Sequence, residues 1–184
     1  PINTSMHIPL ATTNYEDLID NGLWIVVDAW SKQPNNDDAE MNLNIYNSVF
    51  LGHLKEELMK THVYKEDKIV QIKCKNVINF MQSEEGQIDH RFKEFEHIDN
   101  QEDLISYIVD RGKKNLIICG LHYGKCITTA AIILEDAINI GIEGADPVLA
   151  DRRLYIKRDM CCLWPNDEIS MHDRVYKQMK LELI

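Results

Sequence analysis

The sequence predicts an α/β domain, a three-layer α/β/α Rossmann-like arrangement with a mostly parallel sheet. Short continuous apolar runs alternate along the 184 residues with stretches of helical spacing, the pattern of strands joined by crossover helices. The apolar runs lack the polar alternation of a half-exposed strand, so both of their faces are expected to be covered. The helical stretches also carry local start and stop residues.

The elements follow in order. Residues 1–22 are polar and turn-rich and read as a lead-in segment, with the domain itself spanning 23–184. Leu23–Trp24–Ile25–Val26–Val27 is a buried strand closed by the acid Asp28, and residues 31–40 are a polar loop. Ile45, Val49, Leu54 and Leu58 recur at helical spacing. Lys68–Lys73 and Val77–Met81 are strand candidates, and the charged, aperiodic residues 82–99 read as a long loop. Asn100 with Asp103 makes an N-cap pair for a helix carrying Leu104, Ile105, Ile108 and Val109 and ending at Gly112. Lys114–Cys119 reads as a strand, Gly120–Lys125 as a turn, and Cys126 to Gly141 as a helix. Residues 142–152 form a loop, Leu154–Lys157 the last strand, and Ser170 to Leu183 the last helix.

Composition narrows the function classes. A formal net charge of −10 with no basic stripe argues against a nucleic-acid surface. Five cysteines (Cys74, Cys119, Cys126, Cys161, Cys162) form no CxxC pair, so a disulfide framework is not expected and a reducing cytoplasm is. No apolar stretch reaches membrane-spanning length, and the first residues carry no signal-peptide pattern. The expected partner is a small molecule.

The chemistry concentrates in the octet Cys119–Gly–Leu–His–Tyr–Gly–Lys–Cys126. A phosphate-binding P-loop needs glycine where Cys119 stands and a hydroxyl where Cys126 stands. A cysteine-phosphatase loop needs arginine at Lys125, because lysine lacks the planar fork that grips phosphate. The third reading makes Cys126 a nucleophile in the first turn of a helix. There, unpaired N–H groups and the helix dipole are expected to lower its pKa.

Four features in order then resemble the isochorismatase-like cysteine hydrolases, over about residues 22–180. They are a first strand ending in Asp28, a thiol six residues after Gly120, a small-residue helix through Thr129–Ala130–Ala131 to Gly141, and Arg158–Asp159 followed by Met160–Cys161–Cys162. The resemblance implies a hydrolase of amide-type C–N bonds in small molecules, working through a thioester on Cys126. Asp28 would be the base, and Lys93, 33 residues before Cys126, the triad lysine, with His90 or Arg91 as alternatives. It also implies oxyanion donors at the backbone of His122 and Cys126, a cis peptide at Leu121–His122, and self-association. Trp30 stands where many members carry Gln and is assigned to substrate binding. No counterpart of a nicotinamidase metal cluster is found, and no cofactor is expected. The alternative is an inactive relative of the fold serving assembly or small-molecule binding.

Overall fold

The computed structural model describes Leu18 and residues 22–32, 38–61, 77–81 and 87–184. Their elements are β1 (Leu23–Val27), β2 (Trp30–Lys32), α1 (Asp38–Thr61), β3 (Val77–Phe80), β4 (Gln87–Ile88), a 3-10 turn (His90–Phe92) and β5 (Glu96–Ile98). Then come α2 (Gln101–Arg111), β6 (Asn115–Tyr123), α3 (Cys126–Asn139), β7 (Arg153–Leu163), α4 (Ile169–Lys177) and β8 (Glu182–Leu183). Six strands form one all-parallel sheet in the order β5-β3-β1-β6-β7-β8, and β2 and β4 form a separate antiparallel pair. None of the described helices is long and apolar enough to cross a membrane.

The sheet divides the core in two because alternate side chains of a strand face opposite ways. Ile25 and Val27 of β1 join Ile78, Ile118 and Ile156 beneath α2 and α3, where Leu104, Ile108, Ile127, Ala130 and Leu134 are buried. Trp24 and Val26 join Ile117 and Cys119 beneath Leu51, Leu54 and Leu58 of α1. These are the three layers the apolar runs predicted.

Local signals hold where they decide an end. Asn100 Oδ1 accepts from Asp103 N at 2.8 Å, and Gly112 closes α2 at φ 62°. Elsewhere long-range pairing overrides local text. Residues 87–99 are not loop throughout: β4, the 3-10 turn and β5 lie there, with Phe92, Phe95 and Ile98 as buried anchors. The turn expected from Gly120 is strand instead, since β7 pairs with β6 as far as Tyr123. Gly120 has φ 115°, and a Cβ there would meet Val27 O at 2.4 Å, so only glycine lets β6 lie this close to β1. The strand beginning at Arg153 runs to Leu163, and Lys157–Met160 bulge where Cys119 alone stands opposite. It is not the last strand, because α4 ends at Lys177 and β8 pairs with β7. The strand candidate at 68–73, Cys74 and nearly all of the lead-in lie outside the described residues.

The apolar stripe of α1 also differs from expectation. Ile45 and Val49 are 61% and 58% exposed, while Leu51, Leu54 and Leu58 are buried. At about 100° per residue, Ile45 lies on the side of the helix opposite Leu54, so the four apolar positions never shared one face. Leu54→Ala should therefore lower the unfolding free energy by about 2–5 kcal/mol, and Ile45→Ala by under about 0.5 kcal/mol. Urea unfolding of the two variants checks the difference.

Candidate active site

Two neighbouring parallel strands build the site. β1 and β6 pair through Val27 and Gly120, and the chain leaves β1 toward one edge of the sheet and β6 toward the other. Such a switch point opens a crevice at the carboxyl ends of the strands. Asp28 follows β1 and Cys126 starts the helix after β6.

Asp28 is 1% exposed and has φ 50°, a left-handed conformation that Asp tolerates better than most residues. Its N–H donates to Phe80 O at 2.9 Å and its carbonyl accepts from Trp30 N at 2.7 Å, which fixes the backbone at the ends of β1 and β3. The Asp28 carboxylate is hydrogen-bonded to the Cys126 thiol. The structure thus brings together the two residues that the sequence placed 98 positions apart.

The turn before Cys126 is tightly held. The Leu121–His122 peptide is cis, at the position the resemblance implied. Gly124 N donates to the Tyr176 hydroxyl at 2.8 Å, and that hydroxyl is also hydrogen-bonded to Thr128 Oγ1 at 2.7 Å. Lys125 N donates to His122 O at 3.0 Å, while Thr128 N and Thr129 N donate to Lys125 O. His122 is buried, with Nε2 donating to Asn47 Oδ1 at 2.8 Å and its ring edge-on to Trp164 at 4.8 Å. α1 and the segment after β7 therefore clamp the turn from one side, and Tyr176 of α4 from the other.

The electrostatics reverse one expectation. Burial, followed by the Asp28 charge and the Asp28 hydrogen bond, pushes the Cys126 thiol up to about 12, although its own N–H and Lys125 pull it down. Helix-end stabilisation is a modest surface effect, whereas burial beside a carboxylate penalises the anion directly. The resting thiol keeps its proton at neutral pH. Burial, then the Lys125 charge, pushes His122 down to about 4, so its imidazole is neutral at pH 7.

The structure does not bring Lys93 to this pair. Lys93 is exposed at the end of the 3-10 turn, and the charges acting on the thiol are those of Asp28 and Lys125. The turn is anchored through Asp89, whose N–H donates to Ala29 O at 2.7 Å, and it buries Phe92, leaving Lys93 and Glu94 outside. The alternatives are engaged elsewhere or exposed. Arg91 grips Asp89 through Nε at 2.8 Å and Nη2 at 3.0 Å, with Ser48 Oγ accepting at 3.1 Å, and His90 is exposed. Trp30 stands two residues past Asp28 on β2, and its buried Nε1–H has no acceptor among the described residues. Among the described residues no group of three His, Cys, Asp or Glu side chains is placed to hold a metal.

No family model matches the chain, and no curated protein does. Solved structures do. YcaC of Escherichia coli, described as an octameric hydrolase of unknown specificity, matches with TM-score 0.52 at 14% identity, over 90% of this chain and 76% of that one. YcaC of Pseudomonas aeruginosa, solved with hexane-2,5-diol and covalent acrylamide, matches with TM-score 0.51 at 14% identity and the same coverage. An isochorismatase-like hydrolase of Alkaliphilus metalliredigens matches with TM-score 0.53 at 8% identity, over 90% and 94% of the two chains. The fold is that of the isochorismatase-like hydrolases.

Within this isochorismatase-like fold, sequence reasoning missed Asn47, Trp164, Tyr176 and the part played by Lys125. Lys125 was visible only as a misfit to two phosphate-loop patterns. The other three reach the turn from 38 to 79 residues away from Cys126, so no local spacing marks them.

The His122 shift has a consequence for stability. The unfolded imidazole takes a proton near pH 6.5 and the folded one only near 4, so the unfolded state gains protons first as pH falls. Folding stability due to this residue is therefore present above about pH 6.5 and is lost toward pH 4. Between those values wild type should lose about 3 kcal/mol more than His122→Gln. Urea midpoints measured at several pH values check this, and a pH-independent difference between the two proteins would contradict it.

Proposed function

We propose that the chain is a cysteine hydrolase that cleaves an amide-type C–N bond of a small molecule. The observation that carries this reading is the hydrogen bond between the Cys126 thiol and the Asp28 carboxylate at the switch point of the sheet. The structural neighbours described as hydrolases support it, as does the neighbour that holds covalent acrylamide, an electrophilic amide.

Asp28 accepts the thiol proton as sulfur attacks the substrate carbon. The developing oxyanion is gathered by the backbone N–H groups of His122 and Cys126. Asp28 then returns the proton to the departing nitrogen, and ammonia or an amine leaves a thioester. Asp28 next takes a proton from water, which attacks the thioester and frees the carboxylic acid and the thiol. No cofactor is needed for these steps. The raised thiol pKa fits a proton that moves only when substrate is present. Trp30 borders the substrate, and its buried N–H offers a donor for an acceptor atom on it. Lys93, exposed on its turn, is given no role in this reading. The octameric state of one neighbour supports a homo-oligomer here too.

The second reading, an inactive relative that binds a small molecule or serves assembly, is favoured by the same protonated thiol. Ammonia release from a panel of small amides separates the two. Wild type should release ammonia from at least one of them, and Cys126→Ala should be slower by at least about a thousandfold. Equal rates in the two proteins would remove Cys126 from the chemistry.

A further inference from the structure

Gly120 serves the close approach of two strands, and Gly124, the second glycine before Cys126, serves a different contact. It has φ 81°, and a Cβ built on it would fall on Nδ1, Cγ and Cε1 of His172. The imidazole from α4 thus occupies the space that any side chain at 124 would need. His172 is itself held, since its Nε2 donates to Asp167 Oδ2 at 3.0 Å and Asp167 N donates to Trp164 O at 3.0 Å. Trp164 meets the His122 ring. Contacts therefore run in a closed circuit from His122 through Trp164, Asp167 and His172 to Gly124, two residues further along the same turn.

Tyr176 lies four residues after His172, on the same face of α4. Its ring is fully buried 4.9 Å from that of Tyr123, and its hydroxyl bonds both Gly124 N and Thr128 Oγ1. Between the two, Asp173 accepts from the Tyr123 hydroxyl and from Arg158 Nε at 3.1 Å and Nη2 at 2.8 Å, which ties α4 to β7. The segment 164–176 thus touches the chain at 122, 123, 124 and 128, on both sides of the nucleophile. A backbone held two residues before and two residues after Cys126 leaves its sulfur little freedom relative to Asp28, which is fixed separately by Phe80 O and Trp30 N.

We propose that Tyr176 and His172 are positioning residues for Cys126, gripping Gly124 together and so setting where the thiol stands against Asp28. This rests on the reading of Cys126 as the nucleophile. The two grip Gly124 by different means. Tyr176 takes its N–H into a hydrogen bond, and His172 fills the space over its Cα, so the peptide can neither turn nor shift toward α4. The backbone N–H groups of His122 and Cys126 belong to the same held stretch, so the seat of α4 also sets the donors for the oxyanion.

Tyr176→Phe keeps the ring and removes both hydrogen bonds. Its kcat for ammonia release should fall about ten- to a hundredfold with KM within about twofold, since misplacing a reacting group by about 1 Å costs about a hundredfold. The infrared S–H band of Cys126 should broaden and rise in frequency as the bond to Asp28 lengthens. His172→Ala should move the band the same way, and the double variant little beyond the larger single effect, because both residues act on Gly124. Leu54→Ala, at least as destabilising but confined to the packing of α1, should leave the band in place. A wild-type band in Tyr176→Phe or in His172→Ala, a loss carried by KM alone, or a Leu54→Ala band displaced as far would each overturn the proposal. Where Tyr176→Phe does not fold, Thr128→Val removes one of its two bonds, and a wild-type band there overturns the proposal equally. The band needs no turnover, so a wild type that releases no ammonia from any amide would sink the hydrolase reading and leave the band comparison standing.

Discussion

The hydrogen bond between the Cys126 thiol and the Asp28 carboxylate is the interaction on which the site depends, and the sheet is arranged so that it forms. It requires β1 and β6 to be neighbours, to run parallel, and to end level with one another. The pairing of Val27 with Gly120 supplies all three, and the missing side chain of Gly120 allows the approach. Beyond the strands, Asp28 takes a positive φ as the chain leaves β1. Tyr176 fixes the other partner, because one hydroxyl holds both Gly124 and Thr128 on either side of the cysteine.

Burial gives this bond its chemical character. In water a free thiol and a carboxylate ionise several pH units apart and independently of each other. Here the carboxylate is almost wholly enclosed and the thiol half so, which makes two adjacent negative charges costly. The thiol therefore keeps its proton, which faces the carboxylate. A site of this kind keeps its nucleophile masked until a substrate carbon accepts electron density. The clamp of Asn47, His122 and Trp164 holds the turn in place meanwhile, and its neutral imidazole adds no competing charge.

Much of the fold was legible because strands covered on both faces must be written in apolar residues, as 23–27 and 116–119 are. The cap of α2 was legible because its chemistry is local to Asn100, Asp103 and Gly112. The edge strands were not. β5 and β8 are three and two residues long, and their stability comes from pairing with β3 and β7 rather than from their own text. Gly120 misled for a related reason: a glycine that signals a turn locally serves here as a point of close contact between strands. In the site, Asp28 and Cys126 stood out because each closes or opens an element. Lys93 was chosen by distance along the chain, and the anchoring of its turn through Asp89 and Phe92 is a tertiary effect that spacing does not carry. The direction of the thiol shift failed similarly, since a helix start is visible in sequence and burial beside a distant acid is not.

The chemistry of the site turns on the location of one proton, and the infrared S–H stretch of Cys126 reads it directly, taken as the difference spectrum between wild type and Cys126→Ala at pH 7. The band should be present in wild type, lowered in frequency by the carboxylate acceptor, and should move to higher frequency in Asp28→Asn as the acceptor loses its charge. Absence of the band in wild type, meaning a resting thiolate, or a band unchanged by Asp28→Asn, would contradict a protonated thiol facing its carboxylate.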